Sequence, residues 1–348
     1  MADLTIQAVE QSENSRLDMR VAVCGFLFTA GLFLDGWAHF HGRVDESFFT
    51  PWHAVLYSSF AVTAAVVLVP TVQRYLKERD WRTAVPPHYG FALLGIVVFT
   101  VGGLGDMVWH TLFGIEEDLE ALISPTHLLL GVGGTLVGSA PLRAAWFRPK
   151  STLARQEAWP VILVTTSMLS SFTFFLLYQN PYMQITADAI LRRDAGLSAY
   201  AAQQVGLGSI LITTAITMGI LMFILNRWEW RLPMGSLTLI LTVNALGMTV
   251  LSDQYLLVWA ALFSGFAGDL LLARLRPGDQ LKVGNVGAVR LFAFLLPVIL
   301  FLSYFGTVMQ IATRFEWSIH MWLGSTFLAG VTGFLLSLLV VPPIVPRA

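Results

Sequence analysis

Two short stretches of an otherwise apolar chain repeat one pattern of side chains that can bind metal ions. The first, LDGWAHFHGRVDESFFTPWH, covers residues 34–53, and the second, GDMVWHTLFGIEEDLEALISPTH, covers residues 105–127. Each contains an Asp, a His four residues later, an acidic loop, a Ser/Thr-Pro pair and a second His. Carboxylate oxygens and imidazole nitrogens are ligands of transition metals. The predicted ligands are Asp35, His39, His53, Asp106, His110 and His127.

Local helix chemistry accounts for the spacing within each stretch. Side chains four residues apart lie on one face of an α-helix, so Asp35 and His39 can bind one ion together. Thr50 is a favoured N-cap and proline is favoured at the first helical position, so a new helix begins there. His53 then lies two positions after that proline. Each stretch is therefore predicted to form a helical hairpin with its ligands at one end.

Other acidic and histidine side chains are candidates for additional ligands or for groups that orient the imidazoles. Glu46 and Glu120 occupy matched positions in the two loops. Three further candidates have no counterpart in the other repeat, and they are His41, Glu117 and His320. If the hairpins pack side by side, the six main ligands can form a shared site for one or two metals. If they do not, two separate three-ligand sites are expected.

The composition indicates a membrane protein. The 348 residues are 55% hydrophobic and only 12% charged, with a mean hydropathy of +0.67. A soluble domain carries about 25% charged residues. Ten apolar runs approach the roughly 20 residues that cross a hydrocarbon core, and they lie at about 20–41, 51–73, 89–112, 125–146, 159–179, 205–226, 232–251, 254–273, 289–311 and 317–341. The predicted fold is an all-α polytopic integral membrane protein of about ten transmembrane helices.

The predicted organisation has three parts: a cytoplasmic N-terminal segment (1–19), the two repeated hairpins (20–150, helices one to four) and six further helices (151–348). No small-residue cleavage site precedes the first apolar run, so no removable signal peptide is expected. If the N-terminus is cytoplasmic, few of the 21 Lys and Arg residues lie outside the cell membrane, and they are Arg43, Arg192, Arg193 and Arg314. The positive-inside rule therefore predicts an inner or plasma membrane protein with cytoplasmic termini and extracytoplasmic metal motifs.

The types of ligand narrow the choice of metal. Imidazoles with one carboxylate suit copper, zinc or non-haem iron, whereas calcium and magnesium prefer oxygen ligands. A carboxylate-rich di-iron site remains an alternative because the loops contain glutamates. Haem is a weaker alternative because the Asp before each His has no role in it. Cys24 is the sole cysteine, which excludes a thiolate cluster, and a net charge of −1 argues against a nucleic-acid partner.

The second stretch resembles the metal-binding segment of the C subunit of copper membrane monooxygenases, the particulate methane and ammonia monooxygenases. That segment has the form Asp-x3-His, a short loop and Thr-Pro-x-His. Asp106, His110 and His127 match its copper ligands, with Ser124-Pro125 in place of Thr-Pro. The first stretch matches equally well and keeps the threonine. The resemblance implies copper, but here the loop is longer, the motif occurs twice, and nothing resembles that family's soluble copper-binding β-domain.

Three classes of function are consistent with these features. The first is a copper-dependent, or other transition-metal-dependent, oxygenase-like oxidoreductase that acts on an apolar substrate. The second is metal-ion transport or delivery, which requires polar ligands deeper in the bilayer. The polar residues predicted at the bilayer centre are mainly Ser, Thr, Gly and Asn244. This composition favours a metal site at one face of the membrane over a path for ions through it. The third is a non-enzymatic sensor or assembly partner. The expected partners are membrane lipid, a small apolar substrate, an electron donor or partner subunits.

Overall fold

The computed structural model is helical, and it describes residues 2–43, 48–114, 118–148, 155–282 and 286–342. Helices account for 83% of the structure, and no strand occurs in the described part of the chain. Among the described residues, eight helices are long and apolar enough to cross a membrane, or nine if one bent pair forms a single span. The chain is an all-α polytopic membrane protein, which confirms the predicted fold class.

The chain divides into two compact units, residues 1–175 and residues 176–348. The helices of the first unit are α1 (Ala2–Phe40), α2 (Pro51–Glu78), α3 (Trp81–Ala84), α4 (Gly90–Phe113), α5 (Asp118–Ile123), α6 (Pro125–Gly138), α7 (Ala140–Phe147) and α8 (Arg155–Phe175). Those of the second unit are α9 (Ala189–Asp194), α10 (Ala199–Arg227), α11 (Ser236–Leu251), α12 (Val258–Leu275), α13 (Pro277–Lys282), α14 (Gly287–Ile311) and α15 (Ile319–Val340).

Each of the ten predicted runs contains helix, but two of them are not simple spans. The fourth run forms α6 and α7, which meet at a 40° bend. Pro141 in the first turn of α7 has no amide hydrogen, which favours a break here. The seventh run forms α11, whose 16 residues extend about 24 Å at 1.5 Å per residue. A hydrocarbon core is about 30 Å thick, so α11 is short for a span.

The fifth predicted run, α8, belongs to the first unit, although the sequence grouped it with the C-terminal segment. It packs against α1, where the rings of Phe33 and Phe174 meet edge to face at 5.2 Å. It also packs against α6, because Gly131 leaves room for the ring of Phe175. A Cβ atom on Gly131 would lie 2.7 Å from that ring. α8 therefore helps to enclose the helices that carry the repeated motif.

The buried carboxylates of the second unit accept hydrogen bonds from groups at helix ends and in loops. Asp188 caps α9 by accepting a hydrogen bond from the Ile190 amide, and it also accepts one from the Thr313 amide. Asp269 of α12 accepts hydrogen bonds from the amide and the hydroxyl of Thr238 near the start of α11. Backbone amides, with one hydroxyl, therefore compensate both aspartates. Within the described residues, both groups with metal-ligand spacing lie in the first unit.

In the first unit, glycines allow α4 and α6 to pack closely. A Cβ atom on Gly95 would lie 2.8 Å from the Gly133 carbonyl oxygen, and one on Gly133 would lie 2.6 Å from the Phe99 amide nitrogen. Lipid provides no hydrophobic force that drives membrane helices together, so close backbone contacts of this kind are important for their association. This contact holds together the two helices of the second hairpin.

We expect Gly133→Ala to destabilise the protein because its methyl group has no space against α4. Overpacking of this kind costs about 1–3 kcal/mol of unfolding free energy. Thermal unfolding of the detergent-purified protein measures the effect. Gly219→Ala is the matched control, since a Cβ atom at this position in α10 meets nothing within 4 Å. Equal melting temperatures for the two variants would contradict the close contact.

Candidate metal centre

The first repeat brings together Asp35, His39 and His53, at the end of α1 and the start of α2. One candidate ligand atom from each residue lies within 4.8 Å of the other two. Asp35 Oδ1 is 3.6 Å from His53 Nε2, and Asp35 Oδ2 is 3.9 Å from His39 Nε2. Thr50 caps α2 by accepting a 3.1 Å hydrogen bond from the His53 amide, as its sequence position predicts. We call these three ligand residues the first set.

The second repeat builds the same arrangement from Asp106, His110 and His127, at the end of α4 and the start of α6. Their candidate ligand atoms also lie within 4.8 Å of one another. Asp106 Oδ1 is 3.5 Å from His110 Nε2 and 3.1 Å from His127 Nε2. Ser124 caps α6 by accepting a 3.4 Å hydrogen bond from the His127 amide. We call these three ligand residues the second set.

The two sets lie side by side. The rings of His53 and His110 are separated by 6.1 Å between centroids and are tilted by only 26°. All six side chains line one cavity of about 820 Å³ in the first unit. In the described part of the chain, the residues with mutual ligand spacing form two groups of three. The structure therefore joins the six predicted residues as two adjoining groups, and their role as metal ligands remains a prediction.

Backbone carbonyls orient two of the imidazoles. His53 Nδ1 donates a 2.6 Å hydrogen bond to the Phe48 carbonyl, and His110 Nδ1 donates a 3.2 Å hydrogen bond to the Gly114 carbonyl. A carbonyl oxygen only accepts, so the proton of each neutral ring belongs on Nδ1 and the lone pair on Nε2. Gly114 has φ 84° and ψ −176°, a region that essentially only glycine adopts. Both Nε2 atoms face an Asp, which is the orientation of a metal-binding imidazole.

The first set fits a transition-metal ion. With its proton on Nδ1, His53 presents a lone pair to Asp35 Oδ1, and two acceptors do not hydrogen-bond to each other. Two ligands at about 2.0–2.1 Å from a tetrahedral metal lie about 3.4 Å apart, close to the observed 3.6 Å. Asp35 Oδ1 is buried and has no hydrogen-bond partner among the described residues. A buried carboxylate oxygen of this kind is costly unless a donor or a cation compensates it.

Asp106 has two hydrogen-bond donors that the sequence analysis missed. The Tyr57 hydroxyl donates a 2.9 Å hydrogen bond to Oδ2, and the Thr126 hydroxyl donates a 3.0 Å hydrogen bond to Oδ1. Tyr57 belongs to the first repeat, so its hydrogen bond links the two hairpins. The signals were present, since Tyr57 follows His53 by four residues on one helix face and Thr126 directly precedes His127.

Among the described residues, the two groups with ligand spacing include none of the additional predicted ligands. Glu46 and Glu117 lie outside the described residues. Glu120 is exposed on α5, and His320 is exposed in the first turn of α15, in the second unit. His41 donates a 2.8 Å hydrogen bond from Nδ1 to the backbone carbonyl one turn earlier and stacks on that residue's indole. In this position, His41 completes the end of α1.

The cavity continues away from the two sets along the helices. Gly25, which lines it, precedes Asp35 by ten residues, which corresponds to about 15 Å along a helix. Beyond the two sets, the cavity lining that the structure describes is apolar, Gly, Ser or Thr. Aromatic rings form much of this wall, and they include Phe28, Phe99, Phe174 and Phe175. The cavity therefore has the two sets of ionisable side chains at one end and a largely apolar wall along the rest of its length.

No protein-family model, curated protein or solved structure matches this chain. The arrangement of these side chains is therefore the basis for assigning a function.

We expect the two equivalent aspartates to respond oppositely to removal in the metal-free protein. Asp106→Ala leaves the Tyr57 hydroxyl without its acceptor and leaves the Thr126 hydroxyl only the Ser124 hydroxyl, at 3.3 Å. An unsatisfied buried donor costs about 1–3 kcal/mol. Asp35→Ala removes a buried oxygen that has no hydrogen-bond donor, so stability should change little or increase. Thermal unfolding after chelator treatment measures both variants. A larger loss of stability from Asp35→Ala would contradict the assigned hydrogen bonding.

Proposed function

We propose that this chain is an integral membrane metalloprotein in which the two sets bind transition-metal ions. The main support is the convergence of six ionisable side chains, far apart in sequence, on one cavity within apolar helices. Such groups are rare within membrane segments, and they commonly mark functional sites. Copper is the proposed metal because imidazoles with one carboxylate suit it and because both motifs resemble a copper-binding segment. Iron and zinc are the alternatives.

The proposed activity is that of an oxygenase-like oxidoreductase acting on an apolar substrate. Bound copper would supply the activation of dioxygen. The three residues of each set would hold the ion and leave room for a further ligand. The phenyl rings of the cavity wall would exclude water and accommodate an apolar molecule beside the two sets. Such an activity also requires an electron donor or a partner subunit.

Metal transport or delivery is a second candidate, and the cavity gives it less support. A cation that crosses the bilayer needs successive polar ligands along its path. Past the two sets, the described residues of the cavity wall include hydroxyl groups but neither a carboxylate nor an imidazole. A sensor or assembly partner, the third candidate, requires only the fold and a bound ion. The separation of the ligands from the apolar part of the cavity favours the oxidoreductase.

We also propose that both sets lie on the extracytoplasmic side, because the alternative orientation would place most of the basic residues outside. Single cysteines at Glu120 and Arg79, introduced after Cys24→Ala, test this orientation because both positions are exposed. An impermeant thiol reagent applied to intact cells should label Glu120→Cys and spare Arg79→Cys. The opposite labelling pattern would place the sets on the cytoplasmic side.

We expect the detergent-purified protein to bind copper, with uptake measured by elemental analysis after reconstitution with Cu²⁺. His53→Asn should lower the copper affinity of the first set by more than the roughly 10–100-fold that groups behind a ligand contribute. His88→Asn is the matched control, since His88 is exposed and stacks on Phe147 outside both sets. No uptake of Cu²⁺ by the wild-type protein, nor of Fe²⁺ or Zn²⁺ in parallel reconstitutions, would overturn the metalloprotein proposal.

Oxygen consumption by the copper-loaded protein, in the presence of a reductant, distinguishes the two candidate functions. The oxidoreductase predicts consumption that His53→Asn abolishes and His88→Asn preserves. Copper binding without oxygen consumption, even with apolar molecules added, would favour transport or delivery.

A further inference from the structure

The two sets have equivalent ligands, but their surroundings differ. Aligning the repeats on their Asp and His residues places Tyr57 opposite Gly131, and Thr126 opposite Trp52. Tyr57 and Thr126 are the two residues whose hydroxyls hydrogen-bond to Asp106. Gly131 has no side chain to offer Asp35. The internal repeat therefore conserves the ligands and changes the groups behind them.

The partners of the first carboxylate confirm this difference. Asp35 Oδ1 has no hydrogen-bond partner among the described residues, although it is buried. The indole of Trp52, at the position equivalent to Thr126, donates its hydrogen bond to the Arg43 carbonyl instead. The Asp35 side chain is 12% exposed and that of Asp106 is 2% exposed. The second carboxylate is thus held more firmly and is more enclosed than the first.

Glycine packing fixes Tyr57 in its place beside the second set. The ring of Tyr57 lies against Gly103, where a Cβ atom would come within 2.8 Å of Cε1. The position equivalent to Gly103 in the first repeat is Leu32. A tyrosine at position 131 would meet the ring of Phe175, which already lies against the backbone there. Packing therefore leaves space for a tyrosine beside the second set and not beside the first. That tyrosine, Tyr57, hydrogen-bonds to Asp106.

We propose that the two sets are a tight and an exchangeable metal site, and that Tyr57 is the positioning residue that makes the second set the tight one. This inference rests on the proposed metal-binding function. Hydrogen bonds that orient a ligand carboxylate before the ion arrives reduce the reorganisation needed for binding, and their loss typically costs about 10–100-fold in affinity. Asp106 has two such hydrogen bonds from hydroxyls. Asp35 Oδ1 has none, and its greater exposure gives an ion easier entry and exit.

Titration of the metal-free, full-length protein with Cu²⁺ alone tests this division. Competition with a chromophoric chelator of known affinity measures each binding step, and electron paramagnetic resonance distinguishes the two copper environments. The wild-type protein should bind copper in two steps of different affinity. Asp106→Ala should remove the tighter step, and Asp35→Ala should remove the weaker step.

Two variants isolate the contribution of Tyr57. Tyr57→Phe removes only the hydroxyl, and it should weaken the tighter step about 10–100-fold while the weaker step is unchanged. Gly103→Ala keeps the hydroxyl but displaces the ring, so it should weaken the same step. Tyr89→Phe is the matched control, because the Tyr89 hydroxyl donates a 2.7 Å hydrogen bond to another buried aspartate, Asp18, outside both sets. It should leave both copper affinities unchanged.

The outcomes separate this inference from the proposed function. Two equal steps, loss of the tighter step in Asp35→Ala, or no effect of Tyr57→Phe would overturn the inference and leave a copper-binding protein. A single bound copper, lost equally in Asp35→Ala and Asp106→Ala, would show one shared centre and would also overturn it. Absence of copper binding by the wild-type protein would overturn the proposed function itself.

Discussion

Carboxylates buried among apolar helices need compensation, and this constraint governs much of the structure. An ionised carboxylate loses its hydration on burial, so donors or cations must replace the lost water. The buried aspartates that the structure describes are Asp18, Asp35, Asp106, Asp188 and Asp269. Four of them accept hydrogen bonds from hydroxyls, a guanidinium or backbone amides. Asp35 differs, since its Oδ1 atom has no hydrogen-bond partner among the described residues. The compensation of Asp35 therefore calls for a group other than the protein's own donors.

The two repeats place their ligands by the same local means. In each hairpin a Ser or Thr caps the second helix, and the following proline begins it. This fixes the second His at the start of its helix, opposite the Asp and His that end the first one. Backbone carbonyls then orient His53 and His110. The hairpin is thus a compact unit that brings its three candidate ligands together, and the internal repeat supplies a second copy beside the first.

The contacts between repeats introduce the difference between the sets. Tyr57 reaches from α2 to Asp106 of α4, and the stacked rings of His53 and His110 bring the two sets into contact. Ions bound in neighbouring sets would therefore influence each other through shared surroundings. The adjoining cavity, with its aromatic wall, lies open to both sets. Under the proposed function, the two sets would act beside an apolar chamber, which suits chemistry on a molecule that partitions into lipid.

The sequence determined the helices and the positions of the six candidate ligands, because these depend on local rules. Hydropathy located the helices, and i, i+4 spacing with capping residues located the two sets. Hydropathy did not predict the 40° bend between α6 and α7 or the short length of α11. It reports the length of an apolar run and not breaks in the backbone. Only the tertiary structure shows that α8 belongs to the first unit and that Tyr57 hydrogen-bonds to Asp106 of the other repeat. Both depend on glycines that admit an aromatic ring, Gly131 for Phe175 and Gly103 for Tyr57, and such contacts join residues that no short-range pattern connects.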